Sequence, residues 1–179
     1  MFENIKDPYH ASLLHVFLVT FGLFRADQES QVKMDDTGRH GLLISRRGTQ
    51  QATEHTKDIA NLRADFTLRD ARLLDPVKEF KDSATVVMQT IWPNLIVQQQ
   101  SNTIAMRQIQ PRGPDAFELS WTFFGYEDDD EAMRTRRLRQ ANLMSASGLV
   151  SGDDSEVIKL ARDGLKPYPE REAVLEMGG

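Results

Sequence analysis

An α+β domain is what this sequence predicts, on three observations. An apolar run, VFLVTFGLF at 16–24, follows a helix-start signal at Asp7 and Pro8; β-rich runs separated by turn residues fill 84–126; and from 128 the apolar period becomes helical. At 179 residues, 40% hydrophobic and 27% charged, the chain is long enough to bury one sizeable core, and it shows no internal repeat or low-complexity linker, so a single domain over 1–179 is expected. A net charge of −5 argues against nucleic acid or an anionic membrane as a partner. The longest apolar run is about half of the ~20 residues a membrane span needs. An acidic residue at Glu3 and the lack of a basic segment before that run speak against a secretory signal, which makes the cytoplasm the expected location. The absence of cysteine excludes disulfides, thiolate zinc sites and cysteine-held iron–sulfur clusters.

Taken in order, Asp7 is placed to cap a helix, Pro8 suits its first position and Gly22 is a plausible stop, so one helix is expected to carry both His10 and His15. SQVKMD at 30–35 and GLLISRR at 41–47 flank the turn signal DTGRH and predict a hairpin. The stretch 48–80 is polar, with a weak helical pattern in TKDIANLRAD. ATVVMQTIW at 84–92, LIVQQQS and TIAMRQI within 95–109, and AFELSWTFFGY at 116–126 predict an antiparallel meander. DDDEAMRTRRLRQANLM at 128–144 reads as a helix, acidic at its start and basic toward its end; DDSEVIKLARDG reads as a second, after ASGLVSG.

KDPYHASLLH, at 6–15, places two histidines beside the most apolar segment of the chain. A histidine facing a core loses hydration and needs a partner for each ring nitrogen, which suggests a shared ligand such as a metal. Five residues at ~100° each separate the two rings by about 140° on an ideal helix, so sharing one ion requires a bulge or a break between them. From spacing alone, two separate hydrogen-bonded core histidines are the better reading. Asp154 shares a stripe with Val157, Ile158 and Ala161, whereas Asp153 shares one with Glu156 and Leu160. A carboxylate on an apolar face needs compensation, and two imidazoles around a divalent ion would supply it; the alternative is a capping box running from Ser151 to Asp154. Two histidines and one carboxylate form the facial donor set of non-haem iron(II) oxygenases, which leaves coordination positions open for oxygen.

FENIKDPYHASLLH, VQQQSNTIAMRQIQPRGPDAFELSWTFFGYEDDDE and ANLMSASGLVSGDDSEV resemble the catalytic domain of the large (α) subunit of Rieske-type aromatic-ring-hydroxylating oxygenases, nearest to the salicylate hydroxylase and anthranilate dioxygenase branch. The resemblance implies a helix-grip (Bet v1-like) fold, an antiparallel sheet packed on helices, and hydroxylation of an aromatic carboxylate with O2. It implies His10, His15 and Asp154 as ligands of a mononuclear Fe(2+), and Asp7 as the relay to a Rieske cluster in the neighbouring subunit. Asn4 and Val150, next to the ligand segments, are candidate pocket residues. The implied partners are an aromatic substrate, a ferredoxin and reductase, and the other subunits of an α3 or α3β3 assembly. The Rieske domain, with its [2Fe–2S] cluster, has no counterpart here. With the site starting within ten residues of Met1 and EAVLEMGG reading as a helix about to continue, a fragment of a longer subunit is expected, one not competent for turnover alone.

RTRRLR at 134–139 reads as a solvated helix face, His40 and His55 as solvated turn residues, and Trp92 and Trp121 as core residues on strands. The alternative function is a helix-grip module that binds an apolar small molecule without metal or chemistry.

Overall fold

The computed structural model describes residues 1–21, 28–46, 69–172 and 174. Gly22, TKDIANLRAD and His55 lie outside them. Three short helices open the chain, α1 (Phe2–Lys6), α2 (His10–Leu14) and α3 (Val16–Thr20). Among the described residues six strands follow, β1 (Glu29–Met34), β2 (Gly41–Arg46), β3 (Ala84–Ile91), β4 (Leu95–Gln100), β5 (Thr103–Pro111) and β6 (Phe117–Phe124), and then two longer helices, α4 (Glu131–Met144) and α5 (Leu149–Leu165). The strands pair antiparallel in chain order, β1 to β6, as the expected meander. Among the described residues no helix is long and apolar enough to cross a membrane.

Strand register explains the core. Leu43 pairs with Met88, Thr90 with Ile96, Ile96 with Arg107 and Gln98 with Ala105, so these side chains share the inner face of the sheet. Ile96 and Ala105 are buried there, and Ile5, Leu18, Leu143 and Met144 of the helices are buried with them. The hairpin turn at DTGRH is held by Asp35, whose Oδ1 accepts the backbone N–H of Arg39 and of His40; Gly38 takes a left-handed φ of 67° there.

Several expectations are corrected. The helix expected from Asp7 onward breaks at His15 and restarts at Val16. The capping box at Ser151 does not form, because α5 begins earlier, at Leu149 after the cap Gly148, and the Ser151 hydroxyl donates to the Met144 carbonyl instead. The apolar stripe of α5 is not a buried face: Val157 and Ala161 are exposed and Ile158 is half-buried. Trp92 is exposed in the turn after β3, where its ring packs edge-on against Phe2. The arginines of RTRRLR are not uniformly solvated, since Arg137 is buried and joins Glu79 and Asp129. They also stand in the middle of α4, and its last turn has no basic residue.

Gly148 links α4 to α5 and so positions Asp154. Its backbone is ordinary, φ −77°, but a Cβ there would collide with the Leu143 carbonyl oxygen and lie 2.6 Å from that of Asn142. Backbone atoms cannot step aside as a side chain would. Gly148→Ala is therefore expected to cost about 1–3 kcal/mol of stability, as overpacking does. An unchanged denaturation midpoint would contradict it.

Candidate metal centre

The local chain path assembles the site. Asp7 ends α1 in an extended conformation, φ −81° and ψ 112°, and its Oδ1 accepts the Tyr9 N–H at 2.7 Å, a tight side-chain turn that restarts the helix at His10. At His15 the backbone leaves the helical region, φ −90° and ψ 58°, although its N–H still reaches the Ala11 carbonyl at 3.2 Å. This break, not an i→i+5 turn, overcomes the ~140° separation of an ideal helix. The two rings end with centroids 5.3 Å apart, at 73° to each other.

α5 delivers the third group. Asp154 Oδ1 lies 3.3 Å from His15 Nε2 and 3.6 Å from His10 Nε2, and one ligand atom from each of the three residues falls within 4.8 Å of the others. His15 and Asp154 are buried, at 2% and 6% exposure, while His10 is partly open. Asn4 donates from Nδ2 to Asp154 Oδ1 at 3.1 Å, with the same nitrogen 3.4 Å from His10 Nε2. Behind the cluster each remaining ring nitrogen meets a carboxylate: His15 Nδ1 is 3.3 Å from Asp153 Oδ2, and His10 Nδ1 is 3.4 Å from Asp7 Oδ2. The Asp153 carboxylate, bonded to His15 Nδ1, keeps the proton there and leaves Nε2 free to ligate, whereas His10 Nδ1 faces Asp7 at ion-pair distance without a hydrogen bond. Two inward imidazole nitrogens and one buried carboxylate oxygen suit a divalent ion of the iron(II) class.

Electrostatics supports that reading. Burial lowers the affinity of His15 for a proton, yet the bond and charge of Asp154, followed by those of Asp153, outweigh it and hold its pKa above the ordinary value. For Asp154, burial acts upward, but the bond and charge of His15, the Asn4 bond and the charge of His10 bring the net shift below the usual carboxylate range. The cluster thus stabilises one negative charge by placing positive charge against it, and a cation can take that place.

The cluster lies in a cavity of about 890 Å³, counting its open mouth, between the N-terminal helices, the inner sheet face and α5. Asn4, Asp7, His10, His15, Val150 and Asp154, the six expected site residues, all line it. Sequence reasoning missed Asp153, set aside because it sits on another stripe of α5, and Arg107, which lines the cavity from β5. The signal for Arg107 was present: it alternates with Thr103 and Ala105, both buried, on one face of a strand.

The chain is 46% identical to the large oxygenase component of salicylate 5-hydroxylase from Ralstonia sp, the match covering 100% of this chain and 43% of that protein. It is 38% identical to the terminal oxygenase component subunit alpha 2 of terephthalate 1,2-dioxygenase from Comamonas sp, over 99% of this chain and 44% of the relative. It is also 38% identical to the large subunit of anthranilate 1,2-dioxygenase from Burkholderia cepacia, over 98% of this chain and 42% of the relative. The chain therefore spans less than half the length of each. The crystal structure of naphthalene 1,2-dioxygenase from Rhodococcus sp. bound to indole superposes with a TM-score of 0.61 at 18% identity, over 89% of this chain and 39% of the other, and shows a shared helix-grip fold. Residues 1–174 match the family model described as ring hydroxylating alpha subunit, catalytic domain.

Proposed function

Because the chain belongs to the family of ring-hydroxylating α-subunit catalytic domains, we propose that it hydroxylates an aromatic ring with O2 at a mononuclear iron(II) held by His10, His15 and Asp154. The observation that carries this reading is the convergence of those three groups on the wall of one cavity. Bound iron would supply oxygen activation, with O2 as the oxidant. The residues of the chain do the rest. Asp153 keeps the His15 proton on Nδ1, Asp7 faces Nδ1 of His10, and Asn4 fixes the Asp154 carboxylate through Nδ2–H. Leu43, Val86, Met88 and Met144 offer the ring an apolar surface and exclude water. The names of the relatives point to aromatic carboxylates as substrates.

Asp7 is the proposed link to a Rieske domain on a neighbouring subunit, whose [2Fe–2S] cluster would supply electrons from a ferredoxin and reductase. That role implies an α3 or α3β3 assembly in which residues 1–179 form one catalytic domain.

Anaerobic titration with iron(II) tests the site, with about one ion bound per chain expected. The pH dependence has a definite sign. Iron must displace the proton from His15, whose pKa is raised, so affinity should fall as the pH drops, starting above the ordinary histidine value of about 6.5. In the metal-free protein the same raised pKa stabilises the fold below about 6.5, and that contribution is lost as the pH rises through the folded value. Occupancy that stays flat between about pH 8 and about pH 5.5 would contradict His15 as a ligand.

A further inference from the structure

The sheet wall of the cavity carries a cation that the metal centre does not use. Arg107, on the inner face of β5, is 5% exposed and lines the same cavity as His10, His15 and Asp154. Among the described residues no carboxylate forms an ion pair with it. One terminal nitrogen donates to the side-chain carbonyl of Gln98, the guanidinium lies 4.0 Å over the centre of the Trp121 ring, and Nε has no partner. Arg137, equally buried at 5%, is clamped by Glu79 and Asp129, so this fold supplies carboxylates where an arginine serves structure.

The polar groups around Arg107 repeat the imbalance. Gln98 must turn its oxygen toward the guanidinium, which has only donors, and its Nε2 is left without a partner. Trp121 Nε1 is a second free donor, against one free acceptor, Gln100 Oε1. Burial pushes the guanidinium down to about 9, the charge of Asp154 acting in the other direction, so it is still a cation at neutral pH. A buried cation beside surplus donors is costly unless an anion joins it. With Asp154 engaged by a metal, the ion and the guanidinium together make the cavity more cationic still.

We propose that Arg107 is the anion anchor of the cavity: it holds the carboxylate of an aromatic acid through its planar fork while the ring lies on Leu43, Val86 and Met88. The anchor rests on reading this cavity as the ring-hydroxylating site, and it makes Arg107 a specificity-determining residue that selects carboxylated arenes over neutral ones. A guanidinium and a carboxylate match in two parallel bonds, a geometry that an amide or a bare ring cannot reproduce.

The test is calorimetric binding of benzoate and of benzamide, nearly equal in shape and different in charge, to the iron-loaded and the iron-depleted protein. Wild type should prefer benzoate by about tenfold or more, with or without iron, as expected for a charge-assisted pair. Arg107→Met should lose that preference by weakening benzoate alone, and should bind iron as wild type does. It removes an unpaired buried charge and is expected to fold; should it not, Arg107→Lys carries the test by keeping the charge without the fork, and the preference should shrink severalfold. Equal affinity for the two ligands in wild type, a preference unaltered in the variants, or benzoate binding that vanishes with iron would each overturn the anchor. A protein that binds no iron yet keeps an Arg107-dependent preference would refute the metal centre and leave the anchor standing.

Discussion

Asp154→Ala is expected to abolish stoichiometric iron binding while leaving the fold in place. The carboxylate is the sole anionic member of the cluster, and without it two neutral imidazoles remain to hold a divalent ion. Replacement of groups that only orient a metal ligand commonly costs 10–100-fold in affinity, so loss of a ligand should cost at least about 100-fold. Asp154→Asn separates charge from shape: it can still accept the Asn4 hydrogen bond at the same position but supplies no anion, and it should fail nearly as badly. Asp154→Ala leaves the buried His15 ring and the Asn4 amide without their shared partner, so a loss of about 1–3 kcal/mol is expected, and iron content is compared on protein shown by its denaturation curve to be folded. Iron content that persists at one per chain in Asp154→Ala, measured after anaerobic purification, would remove this residue from the site.

The largest effect on stability is expected from Arg137→Met, for a reason unrelated to the metal. Arg137 makes two bonds to Asp129, at 2.7 Å and 2.8 Å, pairs with Glu79, and donates to the Asn102 carbonyl at 2.6 Å. Asn102, wholly buried in the turn between β4 and β5, donates in turn to Glu79 and to the carbonyl of Val77, and its backbone N–H reaches Gln140 of α4. The bond and charge of Asp129, with those of Glu79, hold the guanidinium above its ordinary value, and Asp129 is held below the usual carboxylate range by the same contact. Removing one member of a buried charge network leaves the others uncompensated, at about 3–5 kcal/mol. For a chain of this size that corresponds to a loss of roughly 10 °C in Tm. Iron binding at low temperature should survive, because the network ties α4 to the sheet and touches none of His10, His15 or Asp154. A Tm within a degree or two of wild type would show that the network contributes little.

Much of this was legible before any coordinates. Alternating apolar residues bounded by turns predict β3 to β6 within a few residues, since strand periodicity and turn chemistry are local properties. The residue types of the candidate metal centre were legible too, from their oddity: two histidines and an aspartate on faces that otherwise read as apolar. Their convergence was not. An ideal helix argues against His10 and His15 sharing an ion, and the break at His15 that reverses the argument has no local signal in HASLLHVFL, where neither glycine nor proline marks it. The position of Asp154 depends on the packing of α5, which starts four residues earlier than its DDSEV segment suggests because Gly148 fits against the end of α4.

By itself, then, the sequence determined the order and type of the main elements, the meander, the family to which the chain belongs and the residues able to bind a metal. Tertiary structure decided the rest: that His10, His15 and Asp154 meet, that Asp153 stands behind His15, that Arg137 is clamped by carboxylates and that Arg107, as deeply buried, is not. The physical reason is range. Propensity and periodicity act over a few residues, whereas a site joining positions 10 and 154 depends on burial and charge compensation, which exist only once the sheet and the helices have closed around them.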